Sequence, residues 1–338
     1  MGARLFLRVN CVVEETLADY EYELPRELIA QRPLPQRGGS RLMVLHRGTK
    51  TIEHRSFSEL PTFVKPGDLV VLNDSRVLPA RHFSDDGRLE FLFLEKLAPR
   101  RWRVLVKPSR KFRPGAVSSI HGIRAQAGER AAENSREIIL ESDVDMQRTG
   151  SMPLPPYMGR RSDAQDAVEY QTVFAREYGS IAAPTAGLHF TPEMLRQLPH
   201  AFITLHVGTG TFRPVKTQRI AEHKMHIERF SISAGTAAAI GGAKRIVAVG
   251  TTTVRVLEAV YREYGDICPV ESETDIFIRR PFEFGAVDAL LTNFHLPRST
   301  LLMLVSAFAG REFILRAYAE AVRERYRFFS YGDCMLIL

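Results

Sequence analysis

The order of apolar strands and helix-forming segments constrains the fold of this chain more than any other feature of its sequence. The apolar run Lys244–Val249 is followed at once by a segment that has helical spacing from Thr251 onward. The same order returns at Asp288–Thr292, where the polar break Asn293–Ser299 precedes the helical segment Thr300–Ala309. Strands and helices that alternate in this way are typical of α/β folds.

Residues 80–149 follow a different pattern. Short segments of strand character lie between turns that contain Gly and Pro, at Leu89–Leu94, Trp102–Val106, Ile123–Ala125 and Glu137–Glu141. This pattern predicts a small all-β domain inserted into a larger one. The main domain then consists of residues 1–79 and 150–338, with residues 1–18 as a leader that reflects a misplaced start.

Several other segments give simple predictions. Helices are expected at Glu23–Gln31, Asp166–Glu177 and Glu312–Arg325. The longest apolar run, Leu301–Ala309, is too short to span a bilayer, and the first residues contain no secretory signal. With 45% hydrophobic and 25% charged residues in 338, we expect a cytoplasmic, globular protein of two domains.

The charge of the chain is distributed unevenly. The formal net charge is +7, and the segment Arg100–Arg113 holds seven basic residues and no acidic one. Such a cluster favours a partner that carries phosphates, and a solvated strand face is an equally good interpretation.

The segment Ile181–Thr191 has neither helical nor strand periodicity. Its small residues would let a ligand approach the backbone, and Gly187 permits a positive φ. Thr185, His189 and Thr191 would supply polar groups. A buried, tightly packed turn would have the same composition, so both interpretations stay open at this point.

Four further turns share this character, because each follows an apolar segment and contains Gly, Thr, Ser or Asn. They are Leu205–Phe212, Gly250–Arg255, Thr292–Ser299 and Ser330–Asp333. Free backbone amides at strand ends and helix N-termini suit polar and anionic ligands. Five such turns in one chain favour a ligand site over simple turns.

Common cofactor motifs are absent. The Gly208-Thr-Gly210 turn resembles half of a dinucleotide fingerprint, but Arg213 stands where the third glycine belongs. The pair His223 and His226 lacks the spacing of a zinc site, so no metal is expected. Histidines in strand-end turns, at 189, 206 and 295, are candidates for acid–base chemistry.

Taken together, these turns closely resemble one enzyme family. The motifs are Ala-Pro-Thr-Ala-Gly-Leu-His-Phe-Thr (183–191), Leu-His-Val-Gly-Thr-Gly-Thr-Phe-Arg-Pro-Val (205–215), His-Lys-Met-His (223–226), Ala-Val-Gly-Thr-Thr-Thr-Val-Arg-Val-Leu-Glu (248–258), Leu-Leu-Thr-Asn-Phe-His-Leu-Pro-Arg-Ser-Thr-Leu-Leu-Met-Leu-Val (290–305) and Tyr-Arg-Phe-Phe-Ser-Tyr-Gly-Asp (326–333). Segments 19–31, 66–81 and 153–157 match as well. The family is the S-adenosylmethionine:tRNA ribosyltransferase-isomerase of bacterial queuosine biosynthesis, and the likeness extends over residues 20–338.

The resemblance implies a fold and a reaction. The fold is a main α/β domain built on a β-barrel, with a smaller inserted β-barrel domain. The reaction transfers and isomerises the ribosyl part of S-adenosylmethionine onto 7-aminomethyl-7-deazaguanine at the tRNA wobble position. It gives epoxyqueuosine and releases adenine and methionine. S-adenosylmethionine is then a consumed substrate, no cofactor is needed, and a monomer is expected.

The resemblance also assigns candidate residues. His189 and His206 are the expected acid–base pair, with His226, His295 and Asp333 in reserve. Ribose, adenine and methionine would be held by Thr185, Gly187, Gly208, Thr211, Thr252, Asn293 and Ser299. An arginine suits the methionine carboxylate, which points to Arg213 or Arg255. Contacts to tRNA phosphates are expected from Arg76, Arg110, Lys111 and Arg113.

Two other classes of function remain possible at this stage. One is a non-catalytic tRNA-binding protein that shares the fold, and the other is a methyltransferase that uses the same donor. The dense set of Thr, His and Gly turns argues against the first, since phosphate binding alone does not need it. The missing Gly-rich turn near the N-terminus argues against the second.

Overall fold

The computed structural model describes residues 15–131, 134–208, 210, 215, 217 and 219–338, and its architecture is mixed α+β. The strands are β1 Arg41–His46, β2 Thr51–Ser56, β3 Asp68–Asn73, β4 Ser75–Val77, β5 Arg81–Phe83, β6 Glu90–Ala98, β7 Arg101–Lys107, β8 Val117–Ile120, β9 Ile123–Arg130, β10 Arg136–Leu140, β11 Glu177–Ser180, β12 His200–Leu205, β13 Glu228–Ile232, β14 Arg245–Val249, β15 Val270–Thr274, β16 Ala289–Asn293 and β17 Cys334–Ile337. The helices are α1 Met146–Thr149, α2 Asp166–Glu169, α3 Pro192–Gln197, α4 Ala234–Gly241, α5 Thr251–Tyr264, α6 Thr300–Ala309 and α7 Arg311–Arg323. None of these helices is long and apolar enough to cross a membrane.

Nine strands form the main sheet, in the order β15-β13-β12-β3-β14-β16-β17-β1-β2. Its centre, β12-β3-β14-β16, is parallel, because each pair in this row runs in the same direction. Parallel strands place their carboxyl ends at one edge, which is where ligands bind in α/β sheets. Thus the turns that follow Val249 and Asn293 lie at the same edge.

Six strands, β5-β6-β7-β10-β9-β8, form a second sheet that is antiparallel throughout. This sheet has its own cluster of buried apolar residues, which includes Phe91, Phe93 and Ile138. It occupies the segment predicted to be all-β. Strand β8, Val-Ser-Ser-Ile, was missed because its middle is polar. Among the described residues the edge strands of neither sheet pair with each other, so closed barrels remain a prediction.

Two predicted helices are wrong in extent. Only a 3₁₀ turn at Arg26–Leu28 occurs within Glu23–Gln31, because the backbone that follows bonds instead to Phe328. Likewise α2 ends at Glu169, and Arg176 and Glu177 donate backbone hydrogen bonds to the carbonyl of Asp74. In both segments tertiary backbone pairing overrides local helical periodicity.

Candidate active site

A pocket opens at the carboxyl edge of the main sheet, where residues of all five polar turns meet. It is lined by Tyr157, Ala183, Pro184, Thr185, Ala186, Val207, Gly250, Thr251, Thr252, Thr292, Asn293, Phe294, His295, Leu296, Ser299, Leu301, Phe329 and Ser330. We call it the motif pocket. Among these described lining residues none is Asp, Glu, Lys or Arg.

His295 is the histidine of this lining. Its Nε2 lies 3.0 Å from Oγ1 of Thr292, and its backbone N–H donates to the hydroxyl of Tyr318 over 2.9 Å. The hydroxyl of Tyr22 donates to its carbonyl oxygen. Burial lowers the pKa of His295 to about 3, so the imidazole is neutral at physiological pH. If Nε2 donates to Thr292, the lone pair of Nδ1 is left to accept a proton from a ligand.

Asn293 lies beside it and is held from behind. Its Nδ2 donates to the carbonyl oxygen of Asp333 over 3.3 Å, and it is 3.1 Å from Nε2 of His189. Its Oδ1 is buried without a hydrogen-bond partner in the described part of the chain. Since Asn293 lines the motif pocket, this oxygen is an acceptor available to a ligand.

His189 itself is behind the pocket wall. Its Nδ1 lies 2.8 Å from Oγ of Ser40, and it borders a separate small cavity together with Arg37 and Arg327. Burial is the main cause that lowers its pKa to about 4, and the two arginines add to it. The contacts of this imidazole are therefore those of a residue that orients Asn293.

The segment Ile181–Thr191, expected to lack regular structure, contains a 3₁₀ helix at Thr185–His189. Gly187 does not have a positive φ. It is needed because a Cβ there would lie 2.7 Å from the ring of Phe174. Thr191 caps α3 by accepting from the N–H of Met194 over 3.2 Å. Thr185 lines the motif pocket, whereas Gly187 packs behind it.

His206 is on a different surface from His295. It lines a large open groove, here called the β12 groove, together with Asp74, Arg176, Tyr178 and Arg229. Its Nδ1 is buried without a partner among the described residues, and burial lowers the pKa of the ring. The structure therefore does not bring His189 and His206 into one pocket.

Arg255 is engaged in a buried ion pair with Glu228, and neither residue lines the motif pocket. Glu228 also accepts a hydrogen bond of 2.9 Å from the N–H of Gly208. This pair ties helix α5 to the turn that follows β12. The other arginine expected to hold a carboxylate, Arg213, lies outside the described residues, as does Thr211.

Asp333 and His226 also lie away from the motif pocket. The carboxylate of Asp333 accepts from the backbone N–H groups of Arg41 (3.0 Å) and Arg327 (2.9 Å). Burial raises its pKa. This carboxylate thus joins β1 to the last turn of the chain. His226 packs directly on Gly210, where a Cβ would clash with its ring.

Three of the lining residues that were absent from the predicted site are Tyr157, Phe329 and Ser330. The hydroxyls of Tyr157 and Ser330 are hydrogen-bonded, and the ring of Phe329 lies 4.6 Å from that of Tyr157. Burial raises the pKa of Tyr157 to about 12, so it stays protonated. The Pro-Leu-Pro-Pro motif before Tyr157 was a usable signal, because it predicts a rigid extended segment that fixes the next side chain.

The basic cluster is partly neutralised. Arg101 pairs with Glu137, and Arg103 pairs with Glu95. The side chains predicted to contact tRNA remain exposed, and they are Arg76, Arg110, Lys111 and Arg113. Within the described ranges no group of three or more His, Cys, Asp or Glu could hold a metal ion.

Comparison with known proteins decides the family. The model of the family described as queuosine biosynthesis protein matches residues 17–337. The chain belongs to the queuosine biosynthesis protein family. The matched residues span both sheets.

Individual members of the queuosine biosynthesis family are similar over nearly their whole length. An S-adenosylmethionine:tRNA ribosyltransferase-isomerase from Symbiobacterium thermophilum is 50% identical, over 95% of this chain and 99% of that protein. One of the same name from Thermotoga maritima is 48% identical over the same shares. The crystal structure of an S-adenosylmethionine tRNA ribosyltransferase from Thermotoga maritima superposes with a TM-score of 0.55. It is 41% identical and covers 95% of this chain and 100% of its own.

Proposed function

We infer that this chain is an S-adenosylmethionine:tRNA ribosyltransferase-isomerase. It transfers the ribosyl part of S-adenosylmethionine to 7-aminomethyl-7-deazaguanine at the tRNA wobble position and isomerises it, so that epoxyqueuosine forms and adenine and methionine leave. The observation that carries this proposal is 50% identity to a protein of that name over 95% of this chain. The motif pocket supports it, because the shared motifs converge there.

We propose the motif pocket as the donor site. Its neutral polar lining offers hydroxyls, amides and the free oxygen of Asn293 to the ribose and adenine. The aromatic rings of Tyr157 and Phe329 lie at the same pocket, and ring faces attract a cation such as the sulfonium. Thr185 and Ser299 complete the set of predicted binding residues that line it.

We assign proton removal to His295. The sulfonium acidifies the C5′ protons of the donor, and a base must break one C5′–H bond and leave the electron pair on carbon. His295 is neutral and lines the pocket, whereas His189 contacts the pocket through Asn293 and His206 faces the β12 groove. Adenine then leaves with the electron pair of the glycosidic bond and takes up a proton.

The remaining parts of the proposal concern the whole molecule. The exposed residues Arg110, Lys111 and Arg113 are proposed to contact tRNA phosphates, together with Arg76. We retain the closed barrels, the domain boundaries at 80–149, a monomeric state and a cytoplasmic location as predictions. No cofactor is invoked for any step.

Release of free adenine tests the proposed reaction. The purified chain is incubated with S-adenosylmethionine and tRNA that carries the precursor base, and products are separated by chromatography. We expect adenine and methionine in equal amounts, and none with tRNA that lacks the precursor. Formation of S-adenosylhomocysteine would identify a methyltransferase, and tRNA binding without any product would identify a non-catalytic binding protein.

A further inference from the structure

The described part of the motif pocket's lining offers an anion no cationic side chain. The methionine end of the donor carries a carboxylate, and among the described residues the lining has no Arg or Lys. Of the two predicted partners, Arg255 is occupied by Glu228 outside the lining, and Arg213 lies outside the described residues. If the donor site is as proposed above, backbone amides and hydroxyls are the donors that the described lining offers to the carboxylate.

Helix α5 begins at the pocket wall with an open N-terminus. The first amides of an α-helix have no acceptor within the helix, and the helix dipole makes them attractive to anions. The N-cap of α5 is Gly250, at φ +88°, which has no side chain to cap them. Helix α6 also begins at this pocket, but Oγ of its N-cap Ser299 accepts from the N–H of Leu302 over 3.1 Å.

A buried hydroxyl supports this assignment independently. Thr252 is only 9% exposed and lines the pocket, and its Oγ1 has no hydrogen-bond partner among the described residues. By contrast, Oγ1 of the adjacent Thr253 donates to the carbonyl of Val249 over 2.8 Å. Leaving a buried hydroxyl unsatisfied is costly, so the hydroxyl of Thr252 is suited to donate a hydrogen bond to an acceptor atom of a ligand.

We propose that the carboxylate of the methionine part of S-adenosylmethionine binds at the N-terminus of α5, where the first-turn amides and the Thr252 hydroxyl donate to it. The anion is a small-molecule carboxylate rather than a tRNA phosphate because Thr252 is buried in a pocket lined by Ala183 and Ala186. This inference rests on the proposed donor site and specifies how that site recognises one end of the donor.

Two donors that differ only in the carboxylate test the inference. The dissociation constants of S-adenosylmethionine and of its decarboxylated analogue are measured by calorimetry for the full chain and for Thr252→Val. A hydrogen bond to a charged group is worth about 1.5–3 kcal/mol. We therefore expect Thr252→Val to raise the dissociation constant of S-adenosylmethionine about tenfold or more. The analogue should bind both proteins equally.

Matched variants separate this role from folding. Thr252→Ser keeps the hydroxyl and should restore donor affinity. Thr253→Val removes a hydroxyl from the same helical turn outside the pocket lining, and it should leave both dissociation constants unchanged. Thermal melting of each variant checks that the fold is intact.

The other outcomes overturn the inference. Equal weakening of both donors by Thr252→Val would place another part of the donor at the hydroxyl. If neither dissociation constant changes, Thr252 is not part of the donor site. If only tRNA binding becomes weaker, the anion that Thr252 contacts is a phosphate. Donor binding is measured without turnover, so absence of adenine release would refute the proposed reaction separately.

Discussion

His189 accepts a hydrogen bond from Asn293. The amide Nδ2 of Asn293 faces the carbonyl oxygen of Asp333, which can only accept, and the same nitrogen lies 3.1 Å from Nε2 of His189. His189 therefore carries its proton on Nδ1 and donates it to Ser40. The orientation of the pocket-facing oxygen of Asn293 depends on this tautomer.

A double-mutant cycle tests that dependence. If His189 acts through Asn293, each single change to Ala should lower kcat/KM, and the double change should cost little more than Asn293→Ala alone. Contacting residues of this kind give coupling energies of about 0.5–3 kcal/mol. Pairing Asn293→Ala with His46→Ala, which removes a half-buried histidine bonded to Glu53, should give additive effects. Additivity for His189 as well would assign it an independent role.

Replacement of His295 should affect the chemical step. Because general bases contribute typically 10²–10⁴-fold, we expect His295→Ala to reduce kcat for adenine release by about a hundredfold or more. The dissociation constant of S-adenosylmethionine should change far less. Single-turnover adenine release measures the rate of the chemical step, and calorimetry measures the dissociation constant. A variant that retains kcat within about threefold would exclude His295 as the base.

The buried histidines should make the fold sensitive to acid. The folded-state pKa values, about 4 for His189 and about 3 for His295, are below the ordinary 6.5. Below pH 6.5 the unfolded chain therefore binds more protons, so this contribution is complete above pH 6.5 and is lost progressively as the pH falls from 6.5 towards those values. Each of the two histidines should lower the free energy of unfolding by roughly 2 kcal/mol between pH 6.5 and pH 5.

Urea unfolding at pH 7 and pH 5 measures this acid sensitivity. Asparagine at His189 and His295 removes both titrations, so the double variant should lose less free energy of unfolding between these two pH values than the native chain. An equal loss in both proteins would show that other groups cause the acid sensitivity.

Breaking the buried pair of Arg255 and Glu228 should be destabilising. Their side chains are 6% and 3% exposed, so Glu228→Ala leaves a guanidinium buried without its counter-charge. We expect a loss of about 3–5 kcal/mol in the free energy of unfolding. Adding Arg255→Met should recover part of it, since no uncompensated charge remains. If the double variant is less stable than Glu228→Ala, desolvation of the charge is not the cause.

The exposed basic residues between β7 and β8 should control the salt dependence of tRNA binding. Changing Arg110, Lys111 and Arg113 to Ala should flatten the slope of log affinity against log salt by about 2–3, one counterion per lost contact. Filter binding between low and moderate NaCl measures it. The control is Arg101→Ala with Arg103→Ala, which removes arginines already paired with glutamates. Equal slopes for the triple variant and the control would make the cluster ordinary surface.

Elements with strong local patterns could be predicted from the sequence. Helix α6 has the predicted bounds, and strand β14 ends at Val249 as predicted, because apolar periodicity and capping residues act within each segment. The helix predicted over residues 166–177 was wrong in extent because the contact that ends it is not local. Its backbone pairs with Asp74, a residue far away in sequence that no local pattern reveals.

The site could be predicted only in part. Motif turns supplied Thr185, Thr252, Asn293, Ser299 and His295, which all line one pocket. What the sequence could not show is the direction of each side chain. His206 and Val207 are adjacent, yet one lines the β12 groove and the other the motif pocket. The directions of these two side chains depend on the position of the strand end in the sheet.

Strand β17 determines when this protein can finish folding during synthesis. The β1–β2 hairpin joins the main sheet through β17, which pairs with β1 at Leu42–Leu45. Residues 334–337 emerge from the ribosome hundreds of residues after the hairpin does. Until then the backbone edge of β1 that pairs with β17 has no neighbouring strand. A nascent chain of this protein therefore exposes an aggregation-prone edge that a chaperone would need to cover.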